Sequence, residues 1–378
     1  MKKVLIVTNL IGFVGFLWND IRILQQMGYE VHYASNGNVI SNENHKEELE
    51  KRGIAFYQLD FSSKNPLAKE NISAYRKLRK LIKKNDYELI HCHTPIAGFI
   101  TRLAARNIRK NGCKVIYTTH GLSYTHLSST KQKMFFYTFE KFASLFTDVI
   151  ITINHEDYNG AKKFWCKNVQ MINGVGVDTE RYHNVSIDVD AYKKSLHLPI
   201  DKIMILSVGE LSERKNHQII VKAIGQLENK DRYIYVICGR EVSNSGIADN
   251  LKQLAVENGV ELFLLGHRSD IPQIMHCSDI GAIPSIREGL GLAGIQSLCA
   301  EVPLVGTDVQ GIRDYIIEDV TGCLCQPFDE KQFADAIKKL SDTEDRMRLA
   351  ANCYEVAQRF DISVSNKQMQ EIYEAVLR

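Results

Sequence analysis

Short apolar runs alternate along this chain with longer stretches in which apolar residues recur every three or four positions. The short runs read as β-strands and the longer stretches as helices with one buried face. Strands are predicted at residues 2–8, 29–34, 89–92, 114–118 and 148–152, and a second series at 203–208, 233–238, 262–265, 280–284 and 303–306. Helices are predicted between them: one through Ile21, Leu24 and Met27 closed by Gly28, and others at 75–84, 217–227, 249–257 and 271–276. Strand and helix in strict alternation imply parallel sheets covered by helices on both faces, so the fold class is α/β. The loop Ile172 to Asp178 and the polar sequence up to Pro199 separate the two series. The expected organisation is two Rossmann-like, doubly wound domains, residues 1–180 and 181–361, with a C-terminal helix at about 362–378 packing back on the first. A length of 378 residues agrees with two cores.

Two helical stretches carry more than a core stripe. Tyr75 to Lys84 sets Tyr75, Leu78 and Ile82 on one face and six cations on the rest, which reads as a solvated helix face, with a membrane-surface helix as the alternative. Lys131 to Phe146 is aromatic-rich and is expected to be a core helix, with contact to lipid as the alternative. Composition, 44% hydrophobic and 24% charged, is that of a folded domain protein. No apolar run reaches the roughly 18 residues of a membrane span, and the run after Met1-Lys2-Lys3 is too short for a secretory signal. Nine scattered cysteines without metal or redox spacing fit a reducing, cytoplasmic setting. The net charge of +2 conceals a division, since residues 1–180 hold 25 Lys+Arg against 16 Asp+Glu and the remainder 22 against 29. A basic first half points to an anionic partner; a membrane surface suits it better than nucleic acid, because aromatic residues are not interleaved with the cations.

Asp279 to Thr307 holds the chemistry. A strand ends in the turn Ser285 to Glu288, and Gly289, Gly291 and Gly294 then open a helix carrying Ile295, Leu298 and Cys299 on one face. Free N–H groups at a helix start and glycines that admit close approach make an anion site. The glycines match the dinucleotide fingerprint, with Asp308 near the place of a ribose-binding acid. Read from Glu288, the same stretch is a nucleotide-sugar site. Its place after the fourth strand of the second domain favours the latter, since the first turn there, G-E-L-S-E-R-K-N, lacks the glycines. An NAD(P)-dependent oxidoreductase stays as the alternative. His120, beside Gly121, stands at the carboxyl end of a strand, where ligands of such sheets bind. Asp188-Val189-Asp190, the D-x-D of the chain, lies in the polar stretch and reads as a solvated loop.

With these elements go K-V-L-I-V-T, H-C-H-T-P at 91–95, T-T-H-G at 118–121, I-N-G-V-G-V-D at the boundary, S-V-G-E-L-S-E-R-K-N-H at 207–217, G-H-R-S-D-I at 266–271 and P-S-I-R-E-G-L-G-L at 284–292. In this order the chain resembles the family 4 glycosyltransferases of the GT-B fold, in their bacterial capsular and exopolysaccharide branch. The resemblance implies transfer of a sugar, with retention of configuration, from a UDP-sugar to a lipid-linked or oligosaccharide acceptor. The reaction would take place in a cleft between the domains, with no metal or other cofactor, at the inner face of the cell membrane. It also implies roles. Glu288 contacts donor sugar hydroxyls, the backbone of Gly289, Leu290, Gly291 and Leu292 holds the diphosphate, and Lys215 binds phosphate. Gly209, Glu210, Arg214 and His267 line the donor, His120 lies near the donor sugar, and Gly12 and Gly15 border the cleft. The catalytic set is then Glu288, His120 and Lys215. Two positions depart from the family. Gln296 stands where the family commonly has a glutamate that grips the ribose, and Glu210 where many relatives have an arginine; either Arg214 substitutes for that arginine or Glu210 faces elsewhere. Both departures keep a catalytically inactive nucleotide-sugar-binding protein as a further alternative. The acceptor is expected to meet the loops 40–51, 61–69 and 123–133.

Overall fold

The computed structural model describes residues 2–38, 44–62, 65–66, 68–242 and 245–378. They form two compact units, one of residues up to Val175 together with Ser363–Arg378, the other Gly176–Ile362. The chain thus leaves the first unit at Val175, ahead of the residue 180 suggested by sequence, and re-enters it at Ser363. Val177 explains the earlier crossing, since its N–H donates to Phe360 O at 2.9 Å and its carbonyl accepts from Ile362, which anchors it in the second unit.

In the first unit the described strands are β1 (Lys3–Leu10), β2 (Glu30–Asn36), β3 (Ala55–Gln58), β4 (Tyr87–His93), β5 (Lys114–Thr118), β6 (Val149–Thr152) and β7 (Val169–Met171). They pair in parallel in the order β3-β2-β1-β4-β5-β6-β7. Leu5, Ile6, Val7, Leu89, Ile90, Val115 and Ile116 have no exposed surface, as expected of a sheet covered on both faces. The chain winds outward from β1 and returns at β4, so the order reverses between them, and the carboxyl ends of these two strands are the natural ligand position. β1 runs past the predicted strand 2–8 to Leu10, and a 3-10 helix, Ile11–Phe16, follows it. Asn9 Oδ1 accepts from the Ala97 N–H at 2.7 Å and ties that helix to the start of the helix Pro95–Ala105.

The helix Lys69–Lys84 buries Ala74, Leu78 and Ile82 and leaves most of its cations in water, as its pattern predicts. The helix Thr130–Ala143 does not follow its pattern. It was expected in the core, yet it buries Glu140 and Ala143 while Met134, Phe135, Phe139 and Phe142 are 66%, 46%, 38% and 45% exposed. Arg102 is the reason. Its guanidinium is fully buried, sits 3.9 Å over the Tyr117 ring and donates to Glu140 Oε2 at 2.8 Å, while Tyr117 donates to Oε1 at 3.2 Å. A buried guanidinium requires a counterion, and satisfying it rotates the helix so that its aromatic side faces outward.

The second unit holds β8 (Ile203–Val208), β9 (Tyr233–Cys238), β10 (Glu261–Gly266), β11 (Ile280–Ile283), β12 (Leu304–Thr307) and β13 (Gly322–Cys325), parallel in the order β10-β9-β8-β11-β12-β13. Its reversal lies between β8 and β11. Helices Gln218–Gly225, Ile247–Asn258 and Glu330–Ser341 cover one core, built on Ile205, Ile220, Tyr235, Ile280 and Phe333. Asp188 is not in a loop as expected; it caps the short helix Val189–Ser195, accepting from the Ala191 N–H at 3.0 Å. All nine cysteines are buried free thiols. Among the described residues no helix is long and apolar enough to cross a membrane.

β13 lies so close to β12 that a Cβ added at Gly322 would come 2.0 Å from Leu304 O. Gly322→Ala is therefore expected to destabilise the second unit by about 3 kcal/mol, since backbone has to move. A chemical-denaturation midpoint equal to that of the wild type would refute the packing.

Candidate active site

In the second unit the two loops at the sheet's reversal meet. After β8 the chain passes Gly209 and Glu210 into a 3-10 turn, Glu213–Lys215, closed by Asn216 at φ +50°. After β11 it reaches Ile286, whose N–H donates to Arg214 O at 3.0 Å. Glu288 Oε2 then accepts from Lys215 Nζ at 2.8 Å and from Arg214 Nη1 at 2.9 Å. Arg214 Nη2 donates to Glu210 Oε1 at 3.1 Å, and Ser212 Oγ donates to the same oxygen at 3.0 Å. Glu210 thus faces the site and holds Arg214. Burial opposes ionisation of Glu288, but the charges of Lys215 and Arg214 outweigh it and keep the carboxyl below its usual range. The result is an ionised acceptor flanked by two cations.

The glycine turn follows. Gly291 caps the helix Leu292–Cys299 at φ +84°, and a Cβ there would come 2.9 Å from Glu288 Cγ and from the Tyr315 hydroxyl. The helix start, the positive end of its dipole, therefore lies beside the ion pairs. Gly294 has a different task from the one expected: a Cβ there would come 2.4 Å from the Tyr315 ring, so this glycine admits Tyr315 and not a phosphate. Leu290 is 4% exposed and has only its backbone to offer. Gln296 is half-buried in the second turn of the same helix. His267 is exposed just after the edge strand β10, two strands from β8. Asp308, which a dinucleotide site would present to a ribose, is instead ion-paired with Arg313 and accepts from Gln326 at 3.0 Å. Tyr315 was not anticipated. Its hydroxyl is buried beneath the glycine turn without a hydrogen-bond partner, and nothing in its local sequence marks it.

In the first unit, the carboxyl ends of β4 and β5 gather a polar cluster. His120 is half-buried, with Nε2 3.1 Å from His93 Nδ1 and its ring 4.7 Å from that of Phe13. His91 lies 2.7 Å from Thr118 Oγ1 through Nε2 and 2.8 Å from the Tyr373 hydroxyl through Nδ1, and Tyr373 also bonds Asp20. Two donor orders satisfy the chain, one running from Thr118 through Nε2, Nδ1–H and Tyr373 to Asp20 and the other reversed from a protonated Asp20 to Thr118, and both require a neutral His91. Burial pushes His91 down to about 3 and His120 down to about 4, and it pushes the Asp20 carboxyl up to about 7 against the lowering effect of the Tyr373 bond. His120 at neutral pH is therefore an uncharged hydrogen-bonding group. Asp20, His91 and His93 place one possible ligand atom each within 4.8 Å of one another, although both His91 nitrogens are already bonded, so a cation would have to displace one of those bonds. His93 Nε2 is buried without a partner at a small cavity of about 10 Å³, the room of roughly one water. Gly12 and Gly15 are exposed in the 3-10 helix after β1. His91 and His93 belong to the H-C-H-T-P stretch noted above without an assigned role; Asp20 and Tyr373 carry no sequence signal, the latter lying 282 positions from its partner His91. Of the expected acceptor loops, residues 40–43, 63–64 and 67 lie outside the described residues.

Comparison with known proteins follows the same division. Residues 3–154 match the family described as "Glycosyl transferase 4-like", and residues 188–359 match "Glycosyl transferases group 1". The chain is 31% identical over 363 residues, 93% of its own length and 91% of the relative's, to "Putative glycosyltransferase EpsD" of Bacillus subtilis. It is 26% identical to the UDP-Gal:alpha-D-GlcNAc-diphosphoundecaprenol alpha-1,3-galactosyltransferase of Escherichia coli, over 78% of this chain and 77% of that one. Among solved structures, Anabaena HepE in complex with UDP superposes with a TM-score of 0.77 at 19% identity, covering 99% of this chain and 100% of that one, a likeness of fold.

The lowered histidines give a pH signature. Their unfolded forms take up protons below about 6.5 while the native ones do not, so stability falls as pH drops from about 6.5 towards 4. Asp20 has the opposite sign, because the native form keeps a proton up to about 7 that the unfolded form releases near 4. Melting temperature is expected to be lower at pH 5 than at pH 7, and Asp20→Asn is expected to steepen the drop. An unchanged slope in the variant would place Asp20 outside the coupled cluster.

Proposed function

Because the chain belongs to the family 4 glycosyltransferases, with the GT-B fold, we propose that it transfers a hexosyl or N-acetylhexosaminyl residue from a UDP-sugar, with retention, to a lipid-linked saccharide in exopolysaccharide or capsule synthesis. The carrying observation is Glu288, bonded by Lys215 and Arg214 beside the start of the helix Leu292–Cys299. A carboxylate can accept two hydroxyls of a sugar at once, while the departing diphosphate gains negative charge that two cations and free helix N–H groups stabilise. Donor phosphate would take over the cations that now bond Glu288. Glu210 would keep Arg214 oriented for this, a part for the carboxylate at a position where the resemblance implies an arginine in many relatives. No metal is assigned a part, as Lys215, Arg214 and the helix start offer the positive charge. His120, uncharged at neutral pH, would hydrogen-bond the sugar and not act as a cation. Support for UDP comes from HepE, which binds it, and support for a lipid-linked acceptor from the E. coli relative, whose name specifies a diphosphoundecaprenol saccharide. An anionic membrane surface on the cytoplasmic side would present such an acceptor.

A radiolabelled panel of nucleotide sugars tests this. Glu288→Ala and Lys215→Ala are each expected to lower transfer by about 100-fold or more, in line with loss of a charged transition-state contact. Activity untouched by both changes would remove the site. Gln296→Glu is expected to lower the KM for donor several-fold by adding a charged acceptor for the ribose. Tight UDP binding with no turnover of any donor would instead identify an inactive binding protein.

A further inference from the structure

We propose that the outward face of the helix Thr130–Ala143, with the cationic helix Lys69–Lys84 in the same layer, is the surface by which the first unit rests on an anionic lipid bilayer. The helix is inverted relative to an ordinary amphipathic one: its carboxylate, Glu140, is 5% exposed, while Met134, Phe135, Phe139 and Phe142 stand in water. These four fall at i, i+1, i+5 and i+8, a single stripe, and Leu145, 48% exposed, continues it. A contiguous exposed aromatic stripe marks a surface that is covered in use. It adjoins a shallow apolar groove of about 130 Å³, lined among others by Pro95, Ile96, Phe99, Phe135 and Phe139, which prolongs the apolar surface. At the far end Trp165 is 53% exposed, with Lys141 Nζ 5.2 Å over its ring.

Charge selects the occupant. Lys69–Lys84 packs on Pro95–Ala105, which packs on Thr130–Ala143, and Arg106 donates to the Tyr75 hydroxyl at 3.3 Å across the first of these contacts. Arg76, Lys80, Lys83 and Lys84 are exposed on that layer, while Lys77 is held by Asp60. The first unit as a whole carries 27 Lys+Arg against 16 Asp+Glu, and the second 20 against 29. A second copy would bring the same positive face and repel it. An anionic bilayer offers opposite charge at its headgroups and an apolar layer just beneath, which matches a face of aromatics bordered by cations. The proposal deepens the lipid-linked reading and rests on it for its purpose.

The test is co-sedimentation with vesicles of phosphatidylcholine and phosphatidylglycerol, 3:1, with UDP binding scored separately by calorimetry. Wild type is expected to bind, and to bind at least tenfold less to pure phosphatidylcholine. Phe135→Ser/Phe139→Ser/Phe142→Ser should weaken binding at least tenfold at unchanged UDP affinity. Arg76→Gln/Lys80→Gln/Lys83→Gln/Lys84→Gln should weaken it and flatten its salt dependence. Because the nine native thiols are buried, Phe142→Cys can be labelled with an environment-sensitive fluorophore; a blue shift on adding vesicles is expected, and this readout stands even if the triple variant fails to fold. Equal binding by the folded triple variant, no fluorophore shift, or a dimer that the triple variant dissociates would overturn the proposal. Wild-type protein that binds UDP but not the anionic vesicles defeats this face alone, and wild-type protein that binds the vesicles but not UDP defeats the proposed activity alone.

Discussion

The carboxylate of Glu288 is the point on which the second unit's site depends. It accepts from Lys215 and Arg214, two neighbours on the loop after β8, while itself belonging to the loop after β11. Those loops leave adjacent strands at the one place where the sheet's winding reverses, so nothing in the sheet's own hydrogen bonding joins them. The ion pairs do, together with the backbone bond from Ile286 to Arg214 O. Because Glu210 grips the same arginine from the other side, four charged side chains form one nearly neutral group. Such a group keeps two cations beside a helix start without leaving them uncompensated before an anion arrives.

The first unit handles buried polarity differently. Its cluster at the ends of β4 and β5 is held mainly by hydrogen bonds of neutral groups, with Thr118, His91, Tyr373 and Asp20 in one continuous chain and burial suppressing the imidazolium forms. Tyr373 reaches that chain from the helix Ile362–Leu377, so a segment far along the sequence completes a polar network begun by the first strand's neighbours. The Arg102–Glu140 pair, by contrast, is a charged contact whose satisfaction decides which side of a helix meets water. One buried guanidinium thus determines the chemical character of an entire outer face.

Much of the backbone was legible in the sequence. Central parallel strands are covered on both faces and so appear as unbroken apolar runs, which is why β5, β8 and β9 fall where the pattern put them, while β3, β7 and β13, short and near or at sheet edges, left no such run. The positions of Glu288, Lys215 and the glycine turn followed from motif spacing, since a tight turn and a helix start are local demands. What only the tertiary structure decided was which side chain meets which. The direction of Glu210, the task of Gly294 beneath Tyr315, the union of His91 with Tyr373 and the outward turn of Phe135, Phe139 and Phe142 all depend on partners distant in sequence. Periodicity records whether a residue suits burial; it does not record the counterion that a buried charge such as Arg102 must find, and that requirement is met only when the chain has folded.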